Sequence, residues 1–227
     1  DDLAVSRAME GIEYVLHQAA VVSVVFSTEH PHQTRAINVG GTACVLEQAR
    51  LAGVRRVVLA SSCAVYGDPD EIPVHEGLEP SPQSPYAETK LATEDLAAQC
   101  SAVDGPEAVA LRYFNVYGPR QDPASQYAAV VPLFVEAHSR RSRVTLFGDG
   151  HQTRDFCFVG DVVRANLAAC EAPGVAGRVF NVGTGVETSL WDLLGAIEAA
   201  FGHGVEADVR PERAGDLRRS VARVSRA

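Results

Sequence analysis

The stretch "RRVVLASS" (55–62) reads as a strand and decides the class of fold. Its centre is continuously apolar, as in a strand covered on both faces of a parallel sheet. It ends in two hydroxyls, and open α/β sheets bind ligands beyond the carboxyl ends of their strands. "EYVLHQAA" (13–20), "EAVALRYFNV" (107–116) and "RVFNVG" (178–183) have the same character, and "RVTLFG" (143–148) is a shorter version. Helical patterns lie between them, over about 35–52, 85–101 and 127–139, from near Asp161, and over about 189–201. "DFCFVG" (155–160) leads into the helix near Asp161. This alternation predicts an α/β doubly wound parallel sheet. The polar or small ends "HQAA", "ASS", "YFN" and "NVGTG" should then converge on one edge.

Bulk properties narrow the function. The net charge of −9, from 20 Lys+Arg against 29 Asp+Glu, opposes a general nucleic-acid binder, which needs a basic surface. It does not oppose one anionic ligand held by a few arginines. No run approaches the ~20 apolar residues that span a bilayer, and no signal peptide opens the chain. The 5 cysteines, Cys44, Cys63, Cys100, Cys157 and Cys170, form no C-x-x-C pair. Reduced thiols in a cytoplasmic protein fit that pattern, and no metal site is expected.

The chemistry centres on "SPYAETK" (84–90). Ser84-Pro85 suits a helix start, and residues four apart share a helix face, so Tyr86 and Lys90 present a hydroxyl and an ammonium together. Alone, such a pair is common in ordinary helices. With Ser62 at a strand end, it supplies the parts that move a proton off a sugar hydroxyl. A free tyrosine, pKa near 10, is a poor base at neutral pH. A cation ~4 Å away is worth about 4 kcal/mol at an effective dielectric of ~20, up to about three pKa units before desolvation. Tyr86 is therefore expected to be a general base made acidic by Lys90, with Ser62 bonding the same substrate oxygen.

"ASSCAVYG" (60–67), "SPYAETK", "LRYFNVYGPRQDP" (111–123), "GDGHQTRDF" (148–156) and "RAGDLRRS" (213–220) occur in that order. The ordered set resembles the extended short-chain dehydrogenase/reductase family, specifically its nucleotide-sugar 4-epimerases, over essentially the whole chain. The family opens with a strand and a G-x-x-G-x-x-G turn that holds the cofactor pyrophosphate, then an acidic residue that grips the ribose. Neither occurs here, and the tail stops short of the family's final helices. The resemblance implies a Rossmann-like sheet lacking its first strands, with a smaller C-terminal substrate lobe. Residues 1–116 would form a partial NAD-binding domain. Residues 117–227 would be mainly the UDP-sugar lobe, with 155–183 returning to the sheet.

The resemblance also assigns residues. Ser62, Tyr86 and Lys90 fall on the catalytic triad. Ala19, Ala20, Asn38, Ser61, Lys90, Tyr86 and Tyr113 fall on the NAD side. Asn115, Arg154, Arg213 and Asp216 fall on positions that hold substrate, phosphate and ribose; Val130 and Phe147 fall on the uracil pocket. Arginine forks suit a diphosphate. Arg140, Arg141 and Arg143 read as solvated surface, Asp161 as a helix N-cap, and Asn181 with the glycines of "NVGTG" as a turn. Ser220 occupies the gate position, where a small residue leaves room for a 2-acetamido group; Ala128 and Ala129 are small as well.

The implied activity is NAD-dependent 4-epimerisation of a UDP-hexose or UDP-N-acetylhexosamine through a 4-keto intermediate. A homodimer built on the helices near 35–52 and 85–101 is implied too, where Val45, Leu46 and Leu91 suit either core or interface. The alternatives are a UDP-glucuronate epimerase or decarboxylase with the same triad, and a catalytically inactive fragment or NAD-binding scaffold. A 4,6-dehydratase needs acidic residues where Cys63 and Ala64 stand.

Overall fold

The computed structural model describes residues 1–102, 105–124, 129–212 and 217–226. Helix α1 (Asp2–Ala8) precedes β1 (Tyr14–His17), and α2 (Val24–Glu29), α3 (Pro31–Arg35) and α4 (Gly41–Leu51) lead to β2 (Arg56–Ser62). A 3-10 turn (Cys63–Tyr66) follows, then α5 (Pro85–Ala102), β3 (Glu107–Tyr113), β4 (Asn115–Tyr117) and α6 (Val130–Ser139). The chain continues through β5 (Val144–Phe147), β6 (Thr153–Arg154), β7 (Phe156–Phe158), α7 (Val159–Glu171) and β8 (Val179–Val182). It closes with β9 (Thr188–Ser189), α8 (Leu190–Phe201), β10 (Ala207–Arg210) and β11 (Arg219–Ser220).

β1, β2, β3 and β8 form one parallel sheet in that order. Side chains alternate along a strand, and the alternation builds two cores. Val57, Leu59, Ala108 and Ala110 pack with Leu46 and Ala49 of α4 and Ala97 of α5. Val58, Val109 and Leu111 pack with Val162, Ala169 and Cys170 of α7. Burial on both faces is why these strands read as unbroken apolar runs. The expected doubly wound α/β fold is present. Three small pairings stand outside the main sheet: β4 with β7, β5 with β10, and β6 between β11 and β9.

The termini of the elements follow local chemistry. Ser84 starts α5, its Oγ accepting from Ala87 N at 3.2 Å, with Pro85 in the first turn. α8 opens on a capping box between Ser189 and Asp192 and ends at Gly202 in the left-handed region, φ 71°. The expected strand over 107–116 breaks in two, because Asn115 leaves the sheet and its N–H bonds Asp155 O at 3.0 Å. The helix expected over 35–52 begins earlier, at Pro31, and contains a π turn over Ala36–Gly40. That turn points Asn38 inward, where it is buried. Leu46 belongs to the core, and Val45 and Leu91 pack against core clusters.

Two readings change. Asp161 is not the cap of α7: Phe158 holds the cap position, and Asp161 sits in the first turn paired with Arg164. A carboxylate there still favours the helix N-terminus. Asn181 is not in the turn but in β8, fully buried. Its Oδ1 accepts from the Tyr66 hydroxyl at 2.7 Å, and its Nδ2 donates to Val74 O at 3.0 Å.

The residues after β8 do turn, and they wrap one carboxylate. Asp155 is fully buried. It accepts from Thr184 N at 2.8 Å, Thr184 Oγ1 at 2.7 Å, Gly185 N at 2.9 Å and Ala222 N at 3.2 Å. Gly183 is glycine because a Cβ there would lie 2.6 Å from Asp155 Oδ2 and 2.9 Å from Ala222 Cβ. Asp155 thus fastens the C-terminal segment to the strand ends.

Replacing Asp155 by Ala strands four donors, one of them the buried Ala222 N–H and three of them part-buried on Thr184 and Gly185, at ~1–3 kcal/mol for a fully buried one. The expected loss is about 3–5 kcal/mol in urea unfolding, with Asp155→Asn costing less because it keeps one acceptor oxygen. A loss below about 1 kcal/mol for Asp155→Ala would refute the fastening role.

Candidate active site

The carboxyl end of β2 and the first turns of α5 bring the proposed triad together. Adjacent residues on a strand face opposite ways, so the two serines separate. Ser62 stands close enough to Tyr86 for its hydroxyl to act on the phenol, and its Oγ accepts from Ala64 N at 3.2 Å. Ser61 turns into the protein, where its hydroxyl donates to Glu94. Expected to face a cofactor, the Ser61 hydroxyl is instead buried in the core.

Lys90 is buried, 5% exposed. Its Nζ donates to Ala60 O at 2.7 Å and stands 5.9 Å from the centroid of the Tyr86 ring. Burial lowers the Lys90 ammonium to about 8. The Tyr86 phenol is raised, by burial first; the Ser62 hydrogen bond acts to lower it and the Cys63 thiol to raise it. Without a bound nicotinamide, the lowering expected from Lys90 does not prevail: burial keeps the phenol raised. The ammonium is engaged with a backbone carbonyl, and desolvation outweighs the help Tyr86 receives.

A small cavity beside Lys90 is lined by His17, Ala19, Ala20, Asn38 and Thr42. Two alanines leave its rim open. An ammonium has three donors, and one of those of Lys90 goes to Ala60, so the others can meet a ribose diol. The cavity itself is only about 10 Å³, so these features fit a ribose hydroxyl of a dinucleotide lying across this edge and not the dinucleotide inside it. Asn38 itself is fully engaged: Oδ1 accepts from Val21 N at 2.7 Å, while Nδ2 donates to Val21 O at 3.0 Å and Thr89 Oγ1 at 2.9 Å. It shapes the cavity by clamping the loop after β1 to α5. Tyr113 lies at the end of β3, where its hydroxyl meets Asn166 Nδ2 at 2.8 Å and Gln18 Oε1 at 3.1 Å.

A larger cavity of about 550 Å³ brings together Asn115, Val130, Phe147 and Arg154. These four come from β4, α6, β5 and β6, and only folding unites them. Asn115 Nδ2 donates to Asp155 O at 3.3 Å, and Arg154 Nη1 to Thr153 O at 2.8 Å. Arg140 and Arg143, read as solvated surface, are exposed and paired with Glu136 at 2.7 Å and Glu206 at 3.2 Å, yet both line this cavity. Arg213, Asp216 and Ala128 lie outside the described residues.

Ser220 joins the two regions. It pairs with Arg154 across β11 and β6, and its side chain stands close enough to the Cys63 thiol to act on it. Cys63 follows Ser62 directly, and burial raises its thiol to about 11. The Ser62–Tyr86 pair and the arginine-bearing cavity are therefore neighbours. Glu94, Asp155, Gln18 and Asn166 were not singled out from sequence. Glu94 carried a signal, standing four residues beyond Lys90 on the same helix face. Among the described residues, no cluster of His, Cys, Asp and Glu is arranged to hold a metal ion.

The profile of the NAD dependent epimerase/dehydratase family matches residues 1–183. A UDP-glucose 4-epimerase of Mycolicibacterium smegmatis is 44% identical over 209 residues, which are 92% of this chain and 66% of that protein. This chain thus spans just under two thirds of that relative. The structure is similar to a UDP-N-acetylglucosamine 4-epimerase from Methanobrevibacter ruminantium in complex with UDP-N-acetylmuramic acid. The TM-score is 0.95 at 32% identity, covering 100% of this chain and 73% of the other. A Thermus thermophilus UDP-glucose 4-epimerase in complex with NAD gives 0.88 at 38% identity, covering 98% and 73%.

The lowered Lys90 has a measurable consequence. Unfolded, the ammonium titrates near 10.5; folded, near 8. Between these values the unfolded state holds the extra proton, so stability rises with pH. Relative to Lys90→Met, the native chain should gain about 3 kcal/mol as pH rises from 8 to 10.5. Urea midpoints that run parallel across that window would show that Lys90 is not buried as a charge.

Proposed function

This chain belongs to the NAD dependent epimerase/dehydratase family, and on that premise we propose that it serves the 4-epimerisation of a UDP-hexose or UDP-N-acetylhexosamine. One observation carries the reading. The Ser62–Tyr86 pair and the cavity of Asn115, Val130, Phe147 and Arg154 adjoin through Ser220 and Cys63. A sugar with its C4 hydroxyl at Tyr86 would have its diphosphate beside Arg154 and its uracil near Phe147 and Val130.

In this reading Tyr86 takes the proton of the 4-hydroxyl, and Ser62 holds the same oxygen. When bound, NAD supplies the hydride acceptor and donor, and its positive ring favours the Tyr86 phenolate. Lys90 and Tyr86 would hold it, with Ala19 and Ala20 giving it room and Tyr113 alongside. Arg154 keeps the diphosphate while the 4-keto sugar turns over, so that C4 would be reduced on its opposite face while Tyr86 returns the proton to the 4-oxygen. Arg213 and Asp216 stay in the nucleotide site on their sequence resemblance alone. Residues 1–116 serve the NAD side and 117–227 mainly the UDP-sugar side, with 155–183 returning to the sheet. A homodimer through α4 and α5, and a cytoplasmic location, complete the proposal.

The small side chain of Ser220 favours acceptance of a 2-acetamido group. Ser220→Tyr should therefore reduce turnover of UDP-N-acetylglucosamine at least ~10-fold more than that of UDP-glucose, the scale on which pocket volume discriminates. Tyr86→Phe should abolish interconversion of the C4 epimers, followed by NMR, while calorimetric UDP-sugar binding persists. Undiminished turnover in Tyr86→Phe overturns the assignment. Release of a pentose from UDP-glucuronate would move the reading to a decarboxylase.

A further inference from the structure

We infer that Glu94 is a positioning residue, which through Ser61 and Arg112 locks the catalytic face of α5 onto the sheet so that Tyr86 meets Ser62. The inference rests on the proposed role of Tyr86 as the proton-transfer group. Tyr86, Lys90 and Glu94 follow one another at four-residue intervals and share one face of α5. Lys90 and Glu94 both reach the sheet, and each holds a different part of it. Lys90 holds the Ala60 carbonyl of β2. Glu94 accepts from Ser61 of β2, and from Arg112 of β3 through Nε at 2.9 Å and Nη2 at 2.6 Å.

The geometry is that of a clamp. Glu94 is 6% exposed and Arg112 3%, so the pair is held by a two-point fork without competition from water. Ser61 and Ser62 are adjacent, so fixing the first fixes the direction of the second. The clamp also extends past α5. Arg112 stacks over the Tyr66 ring at 4.6 Å, and Tyr66 donates to Asn181 at 2.7 Å. Asn181 donates to Val74 O, whose residue bridges Ala222 two positions beyond Ser220. One buried polar chain thus runs from the catalytic helix to the segment that carries the gate. An apolar side chain at residue 94 would fill the space without fixing any of these directions.

A burial defect and a positioning defect can be told apart by the Tyr86 phenol, read by NMR of ring-labelled tyrosine without NAD or UDP-sugar. The Tyr86 resonance is assigned by its loss in Tyr86→Phe. Lys90 and Cys63 are the other titratable groups facing the ring, and both are kept. Simple removal of a nearby negative charge shifts a phenol downward. Loss of the Ser62 hydrogen bond shifts it upward. Glu94→Gln should therefore move the Tyr86 titration up, and Ser61→Ala, which changes no charge, should move it the same way. In turnover, Ser61→Ala should lower kcat about 10-fold with KM within about twofold.

A downward shift in Glu94→Gln with no shift in Ser61→Ala would overturn the clamp, as would unshifted titrations in both. If Glu94→Gln fails to fold, Ser61→Ala carries the test alone. A shift in Tyr86 without any epimerase turnover in the native protein would sink the proposed function and leave the clamp standing.

Discussion

A buried ammonium at the rim of a parallel sheet is the constraint on which the site depends. Lys90 is held at Ala60 O, at 2.7 Å, at the end of β2. A charge that deep is tolerated only where its donors find partners. The surrounding elements comply: α5 brings it in, β2 offers a carbonyl, and the loop after β1 closes over it under the clamp of Asn38. Burial draws its titration towards neutrality and pushes Tyr86 the other way. The two groups of the Y-x-x-x-K pair are thus tuned in opposite senses by the same dry environment, before any mutual attraction is counted.

The second half of the site is built differently. Its cavity collects side chains from β4, β5, β6 and α6, none of which belong to the main sheet. What gives them a common frame is Asp155, a carboxylate with no exposure that fastens Thr184, Gly185 and Ala222. Ser220 therefore arrives beside Cys63 because Asp155 and Val74 both hold the chain at Ala222, two residues beyond it.

Much of this was legible in the residues. Strands buried on both faces announce themselves as apolar runs, so β2, β3 and β8 and the helices between them could be read. Ser62 and Tyr86 were legible as a pair because spacing on one helix and the end of one strand suffice to find them. Other features depend on long-range packing that a linear pattern does not carry. Nothing local in "YFNVY" says that Asn115 will leave the sheet to meet Asp155. Asp161 looked like a cap, but α7 starts two residues earlier. Asn181 looks like a turn residue because asparagine usually is; here the Tyr66 hydroxyl and the buried Val74 carbonyl satisfy it inside a strand. The sequence shows the cation beside Tyr86 but not how deeply the phenol is buried, and in the chain without cofactor burial sets the direction of the shift.

The divergence of Ser61 and Ser62 carries an evolutionary corollary. Neighbouring positions with one side-chain identity hold opposite jobs, decided by parity along the strand. An insertion or deletion of one codon between Val57 and Ala60 would exchange their directions, sending the Ser62 hydroxyl into the interior and that of Ser61 into the cleft. Loops elsewhere in this chain are free to lengthen in descendants; the span from Arg56 to Ser62 is quantised, and its length should be inherited unaltered wherever the chemistry is.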